Sequence, residues 1–354
     1  MPNLSFSDRI IRWYRANKRD LPWRQTHEPY RIWISEIILQ QTRVDQGMDY
    51  YHRLLEAFPT VTDLANADLD QVLKLWQGLG YYSRARNLHA TAQWIAGPLK
   101  GKFPSNYKDL LALKGVGPYT AAAIASFCFN EPVAVVDGNV ERVLARYFGV
   151  EEPVDASATK KLLQQLAQEH IAVRRPAEHN QAIMEFGALQ CTPKNPSCAN
   201  CPLQASCFAL RLGKVSDLPF KAKRTQVKAV AIDYFVLTDG RELLLRKRVD
   251  QGIWNNLHDF LSIEGEAPLT DSAVQREAKK FGEWRASTET VVHLLSHRKL
   301  SIRFHVVQVK RWEERPNGVL VKIRNRHELA VPKPIHDFLM EVGGPLWSGV
   351  RKKN

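Results

Sequence analysis

The stretch Leu113-Lys114-Gly115-Val116-Gly117-Pro118-Tyr119, followed by the small apolar run 120–126, decides how the first part of this chain is read. Two glycines bracket one apolar residue, and glycine adopts backbone angles that other residues resist. Pro118 suits the first turn of a helix, where its missing N–H is no loss. Residues 107–114 also read as helical, so the pattern predicts a helix, a tight glycine hairpin and a second helix. The free N–H groups and positive dipole end of that second helix form a ready anion site, with Lys114, Gly115 and Gly117 beside it. Lys plus Arg number 50 against 37 Asp plus Glu, a net charge of +13. In so basic a chain the expected anion is a nucleic-acid phosphate. From these residues alone, an ordinary corner between two helices is an equal reading.

At 354 residues the chain is long enough for two domains. Its longest apolar runs are too short to span a bilayer. Residues 1–20 carry charge throughout and lack the apolar centre of a signal peptide. A soluble cytoplasmic protein is expected, one for which polyanions are the natural partners. Of the five cysteines, four follow the pattern Cys191, six residues, Cys198, two residues, Cys201, five residues, Cys207. In a reducing compartment this spacing argues for metal ligation rather than disulfides. Tetrathiolate sites serve zinc and iron–sulfur clusters alike, so the residues leave both open. Cys128, in the apolar helix after the hairpin, reads as a small core residue.

Residues 7–17 read as an amphipathic helix and 18–24 as a loop ending Leu21-Pro22-Trp23-Arg24. The next helix, 30–43, surrounds a single carboxylate, Glu36, with Ile32, Trp33, Ile34, Ile37, Ile38 and Leu39. Helical spacing puts Trp33, Glu36, Gln40 and Arg43 on one stripe. Burial raises the pKa of such an acid, as a general acid working near neutral pH requires. The plain reading is an acid at the solvent edge or paired with Arg43. A helix ending at Gly78-Leu79-Gly80 then presents Tyr81, Tyr82, Ser83, Arg84 and Arg86, suited to stacking on bases and contacting phosphates or to a packed cap. The apolar run 132–136 leads into Asp137-Gly138-Asn139 and a helix over 140–148, where Asp137 or Asn139 is expected as N-cap. Further helices are expected at 158–170 and 177–189.

A charged, turn-rich linker is expected at 213–228, including Gly213, Pro219, Lys221, Lys223 and Arg224. It separates a domain at 1–212 from one at 229–354. Beyond it Val230, Ile232, Tyr234 and Val236 alternate with residues of the opposite face. Asp239-Gly240 marks a two-residue hairpin into 242–246. A helix at 271–281 and a second alternation through Leu300, Ile302, Phe304 and Val306 complete a smaller α+β domain.

Together these pieces resemble the MutY family of adenine DNA glycosylases, within the endonuclease III superfamily, over nearly the whole chain. The resemblance rests on Trp33-Ile34-Ser35-Glu36-Ile37-Ile38-Leu39-Gln40-Gln41-Thr42, Gly78-Leu79-Gly80-Tyr81-Tyr82-Ser83, the glycine hairpin, Val136-Asp137-Gly138-Asn139-Val140 and the cysteine spacing. It implies a mostly α catalytic domain, a helix-hairpin-helix glycosylase of two helical lobes with DNA between them, and a C-terminal α+β Nudix-like domain. It also implies that Glu36 protonates N7 of an adenine extruded from the duplex and that Asp137 stabilises the cationic sugar, oriented by Tyr119 and Asn139. Trp23 and Arg24 would lie beside the flipped adenine, with Gln41 and Tyr81 in the gap left in the stack. The four cysteines would hold a structural 4Fe–4S cluster, placing a basic loop with Lys194 against DNA.

The C-terminal domain would read the opposing 8-oxoguanine through Leu295, Ser296 and His297. Many relatives carry Phe-Ser-His at those positions, so the aromatic contact is replaced by leucine. Arg276-Glu277-Ala278-Lys279-Lys280-Phe281-Gly282 sets cations where a Nudix hydrolase needs acidic metal ligands, so pyrophosphohydrolase activity is not expected. Tyr119 stands where bifunctional relatives carry a Schiff-base lysine, so base removal without strand cleavage is expected. The activity implied is monofunctional removal of adenine opposite 8-oxoguanine or guanine in double-stranded DNA, by a monomer associated with the bacterial nucleoid. The rival readings are a thymine or pyrimidine mismatch glycosylase and a catalytically silent DNA-binding protein.

Overall fold

The computed structural model describes residues 4–222, 227–249, 252–312 and 316–341. Lys223 and Arg224 of the expected linker, and the end of the C-terminal domain at 342–354, lie outside the described residues. The chain divides into two compact units, Met1–Asn66 with Asn87–Arg224 and Ala67–Arg86 with Thr225–Asn354. The described part of the expected linker packs back on the first unit. Val154 donates its N–H to Phe220 O at 2.9 Å, and Ala222 donates to Asp155 Oδ1 at 3.1 Å.

The first unit is helical: α1 (Phe6–Asn17), α2 (Pro29–Leu39), α3 (Val44–Ala57) and α4 (Val61–Asn66) precede the segment assigned to the second unit. That segment holds α5 (Leu69–Leu75) and the start of α6 (Ser83–Ala96). The first unit continues with α7 (Tyr107–Leu111), α8 (Pro118–Phe129), α9 (Gly138–Phe148), α10 (Ser157–Glu169), α11 (Pro176–Leu189) and α12 (Phe208–Arg211).

Helix α2 begins on Pro29, with the Glu28 carboxylate accepting from the backbone N–H groups of Tyr30 and Arg31. Ile32 through Ile38 are all buried, as expected of a helix enclosed on every side. The helix stops at Leu39 instead of running to residue 43, because the chain turns at Gln41 with φ 59°. Arg43 therefore caps the start of α3 and does not share the stripe of Glu36.

Helix α8 packs on both α7 and α2. Its four alanines are almost fully buried and let the backbones approach closely. The hairpin before it depends on Gly115, whose φ is 76°. A Cβ there would meet Asn87 Cβ at 2.6 Å, while Thr91 Oγ1 donates to the neighbouring Lys114 carbonyl at 2.6 Å. Gly115→Ala is therefore expected to destabilise the fold by about 2–3 kcal/mol, left-handed strain and overpacking together. It should also weaken duplex binding. Urea unfolding and a DNA titration check both effects.

The apolar run 132–136 forms no strand. Its backbone is held by side-chain amides: Gln168 and Gln164 bond Ala134 N and O, and Asn180 bonds Val135 N and Val133 O. These four bonds deliver Asp137 to the start of α9 in extended backbone.

The second unit carries a mixed sheet of β1 (Lys228–Thr238), β2 (Glu242–Lys247), β3 (His258–Asp259), β4 (Leu261–Gly265), β5 (Glu283–Ser287), β6 (Val291–Leu295), β7 (Arg298–Gln308) and β8 (Val319–Lys322). The main path runs β3-β2-β1-β7-β5, with β1 and β7 parallel at the centre. Strand β1 buries both faces. Ile232, Tyr234 and Val236 pack with Ile335 and Phe338 of α14 (Lys333–Glu341), and Phe235 and Leu237 pack with Val274 and Ala278 of α13 (Asp271–Ala278). The unit is a sheet between two helices, the α+β class expected from the alternation.

Candidate active site

Glu36 sits in the middle of α2 with 5 % of its surface exposed. Burial penalises its charged form and raises its pKa to about 7. A hydrogen bond from the Tyr119 hydroxyl opposes that rise, the Asp137 charge adds to it, and the Arg24 charge opposes it. Tyr119, one residue into α8, is half-buried with its hydroxyl 3.7 Å from Met184 Sδ. Burial, then the Glu36 and Asp137 charges, hold its phenol protonated well above the usual range.

Asp137 is the N-cap of α9. One carboxylate oxygen accepts from the backbone N–H of Asn139 at 2.9 Å and of Val140 at 2.8 Å. The other accepts from Asn139 Nδ2 at 3.0 Å. Burial raises the pKa of this acid, while the three donors pull it back toward the carboxylate form. The Asn139 amide is itself fixed, since Arg142 donates to its Oδ1 at 2.8 Å. The same guanidinium reaches Gly187 O and Cys191 O. A Cβ on Gly187 would strike Asn139 Cβ at 2.7 Å, so α11 meets the start of α9 backbone to side chain.

Glu36, Tyr119, Asp137 and Asn139 line one cavity of about 590 Å³ together with Trp23 and Arg24. Trp23 is locked by an edge contact with Tyr51, ring centroids 5.2 Å apart. Arg19, Gln181, Met184 and Glu185 also line this cavity and are absent from the residues picked out in the sequence. Gln41 stands on the turn closing α2 with its side chain exposed. Lys114 is likewise exposed at the hairpin, and Gly117 caps α8 with extended backbone.

In the second unit Tyr81, Leu295, Ser296 and His297 line a separate cavity of about 370 Å³ with Trp254 and Lys333. Tyr81 has φ 47°, and its hydroxyl hydrogen-bonds Ser296 Oγ.

Cys191, Cys198, Cys201 and Cys207 are partly buried free thiols. Burial pushes the Cys201 thiol up to about 11, opposed by a hydrogen bond from the Leu203 backbone. Arg146 places NH1 3.5 Å from Cys191 Sγ and bonds the carbonyls of Thr192 and Pro193. Among the described residues, no three His, Cys, Asp or Glu side chains converge on one metal position. No described helix is long and apolar enough to cross a membrane.

The model of the HhH-GPD superfamily of base excision DNA repair proteins matches residues 34–169, and that of the NUDIX domain matches residues 233–341. The chain is 32% identical over 339 residues to an adenine DNA glycosylase of Buchnera aphidicola subsp. Schizaphis graminum, covering 94% of this chain and 97% of that protein. The chain belongs to the adenine DNA glycosylase family.

The human adenine DNA glycosylase is 33% identical over 362 residues, covering 85% of this chain and 66% of that protein. Among solved structures, a thermostable thymine-DNA glycosylase matches with TM-score 0.55 and 30% identity over 58% of this chain and 95% of that one. An endonuclease III–DNA covalent intermediate matches with TM-score 0.51 and 22% identity, a likeness of fold. The helical HhH-GPD domain and the C-terminal NUDIX-like α+β domain expected from the sequence are both present.

Proposed function

We propose that the chain hydrolyses the N-glycosidic bond of adenine opposite 8-oxoguanine, or opposite guanine, in double-stranded DNA, as a monomer and without cutting the strand. One observation carries this reading. Two carboxyl groups of unequal surroundings line a single cavity, Glu36 held near a pKa of 7 by burial and Asp137 surrounded by hydrogen-bond donors. Extruding the base costs a few kcal/mol and is cheapest at a mispair. Inside the cavity Glu36 delivers its proton to N7, which drains electrons from the glycosidic bond. Asp137 carries negative charge beside the sugar as positive charge develops there, and Asn139 and Tyr119 hold the two acids in place. Without a lysine at position 119 no Schiff base forms with the sugar; water adds to C1′ and gives up a proton, so the products are free adenine and an abasic site.

In this reading Lys114, Gly115 and Gly117 meet backbone phosphates, Trp23 and Arg24 flank the adenine, and Gln41 and Tyr81 fill the vacated stack. Leu295, Ser296 and His297 meet the opposing lesion. The spacing of Cys191, Cys198, Cys201 and Cys207, together with membership of the family, supports a 4Fe–4S cluster held by these four residues, although their side chains do not converge on one position among the described residues. Such a cluster supplies a rigid tie for the loop carrying Lys194.

A single-turnover panel of duplexes with A opposite 8-oxoguanine, A opposite G, T opposite G and an oxidised pyrimidine tests the reading, each with and without alkali. Adenine should be released from the first two, with strand breaks only after alkali. Thymine release with adenine untouched would favour the activity named for the thymine-DNA glycosylase of similar fold.

A further inference from the structure

Glu185, on α11, has a carboxylate with 1% of its side chain exposed at the wall of the cavity that holds Glu36. Two guanidiniums converge on it. Arg19 donates from its backbone N and Nε to Oε1 at 2.9 Å each, and from NH2 to Oε2 at 2.7 Å. Arg24 donates from NH1 to Oε1 at 3.0 Å and from NH2 to Oε2 at 2.7 Å. Arg24 NH1 also reaches Arg19 O at 3.1 Å, so the loop before α2 is stitched to α11 by one anion.

A buried carboxylate can be kept for packing alone, but this one faces the reaction cavity through a cation that opposes the function assigned to Glu36. We propose that Glu185 is a positioning residue of base removal, pinning Arg24 at the cavity wall and cancelling enough of its charge for Glu36 to keep its proton.

The groups facing Glu36 set the sign. Tyr119 and Cys128 come from α8, Asp137 from the cap of α9, Arg24 from the 22–24 turn, Arg43 and Asp45 from the start of α3, and Glu185 with Arg19 behind Arg24. Glu28 and Arg31 lie at the N-terminal end of its own helix. Arg24 is the cation that lowers the Glu36 pKa. Burial alone would raise the Glu185 acid, but the Arg19 and Arg24 hydrogen bonds reverse this and hold it at about 2, so it is an anion at any working pH. Removing that anion leaves Arg24 uncompensated, favours the Glu36 carboxylate and withdraws the proton that the base needs.

The proposal rests on the glycosylase reading, and one experiment separates their failures: single-turnover adenine release by the full chain, measured against pH for the parent, Glu185→Gln and Glu185→Asp. Absence of adenine release by the parent would count against the function itself. With an active parent, Glu185→Gln should move the high-pH limb down by about one pH unit, the size of a charge change felt through a partly buried site. At pH values above that limb the variant should be about tenfold slower still. Glu185→Asp keeps the anion, so its rate falls while its limb stays with the parent. A Glu185→Gln chain that is slower at every pH with its limb unmoved would overturn the proposal. If that variant does not fold, Arg19→Gln/Glu185→Gln removes the half-exposed Arg19 cation with the anion, leaves Arg24 unpaired and is read in its place, with a smaller downward shift expected and an unmoved limb again fatal.

Discussion

Glu36→Gln is expected to slow single-turnover adenine release by about a thousandfold or more, near the upper range for loss of a general acid, with duplex affinity little changed. Glutamine matches glutamate in shape and can still bond the Tyr119 hydroxyl. It keeps the packing of α2, whose surrounding residues are nearly all buried, but it has no acidic proton to deliver. In the proposed mechanism the active form of Glu36 is protonated, and burial raises its pKa to about 7. The rate is thus full below that value and falls about tenfold per pH unit above it. In the same mechanism Asp137 is ionised, so the rate is also expected to fall on the acid side, through a pKa that burial has raised. The parent profile is a bell, and Glu36→Gln should erase its alkaline limb. A variant with near-parent rates and an intact alkaline limb would leave the proton without a source in this cavity.

Much of this site was legible because its chemistry is local in sequence. Gly115 and Gly117 announce a hairpin through backbone angles that other residues resist, and Asp137 announces a cap through its place before a helix. Glu36 stands out as one acid in an apolar run. What stayed hidden depends on distant partners. Glu185 lies in Ile183-Met184-Glu185-Phe186, a setting much like that of Glu36, yet the two arginines that justify it are 166 and 161 residues away. The same composition yields a raised pKa at one acid and a lowered one at the other, and only the fold tells them apart.

The end of α2 was hidden for another reason. Gln41 turns the chain with a positive φ and carries none of the glycine or proline signals of a helix stop. In the second unit β1 and β7 showed through apolar residues at every second position and β2 through the Asp239-Gly240 turn before it, whereas β3 with two residues and the half-exposed β5 and β6 carry no alternation long enough to read.

Asp137→Asn should be the second most damaging change, costing about a hundredfold to a thousandfold in adenine release, the range for removing one preorganised electrostatic group from a reacting centre. Its fold should survive. An asparagine Oδ1 still accepts from the N–H groups of Asn139 and Val140, and asparagine caps helices as well as aspartate does. The damage lies at the second oxygen. Replacing Oδ2 by NH2 sets two donors against each other at 3.0 Å, since Asn139 Nδ2 already points there. Turning the Asn139 amide over would relieve this but would bring its NH2 against Arg142 NH2, which now donates to Oδ1 at 2.8 Å. Neither orientation of Asn139 satisfies both neighbours, and in neither does a negative charge face the sugar. The loss also reaches Glu36, because the Asp137 charge helps to raise its pKa. Such coupled acids share their titration, so the alkaline limb of the surviving activity should move to lower pH. Calorimetric melting close to the parent, with the rate lost and the limb displaced, would tie the two carboxyls into one reacting pair. Parent-like rates from a folded Asp137→Asn chain would mean that the developing sugar cation is met by some other group.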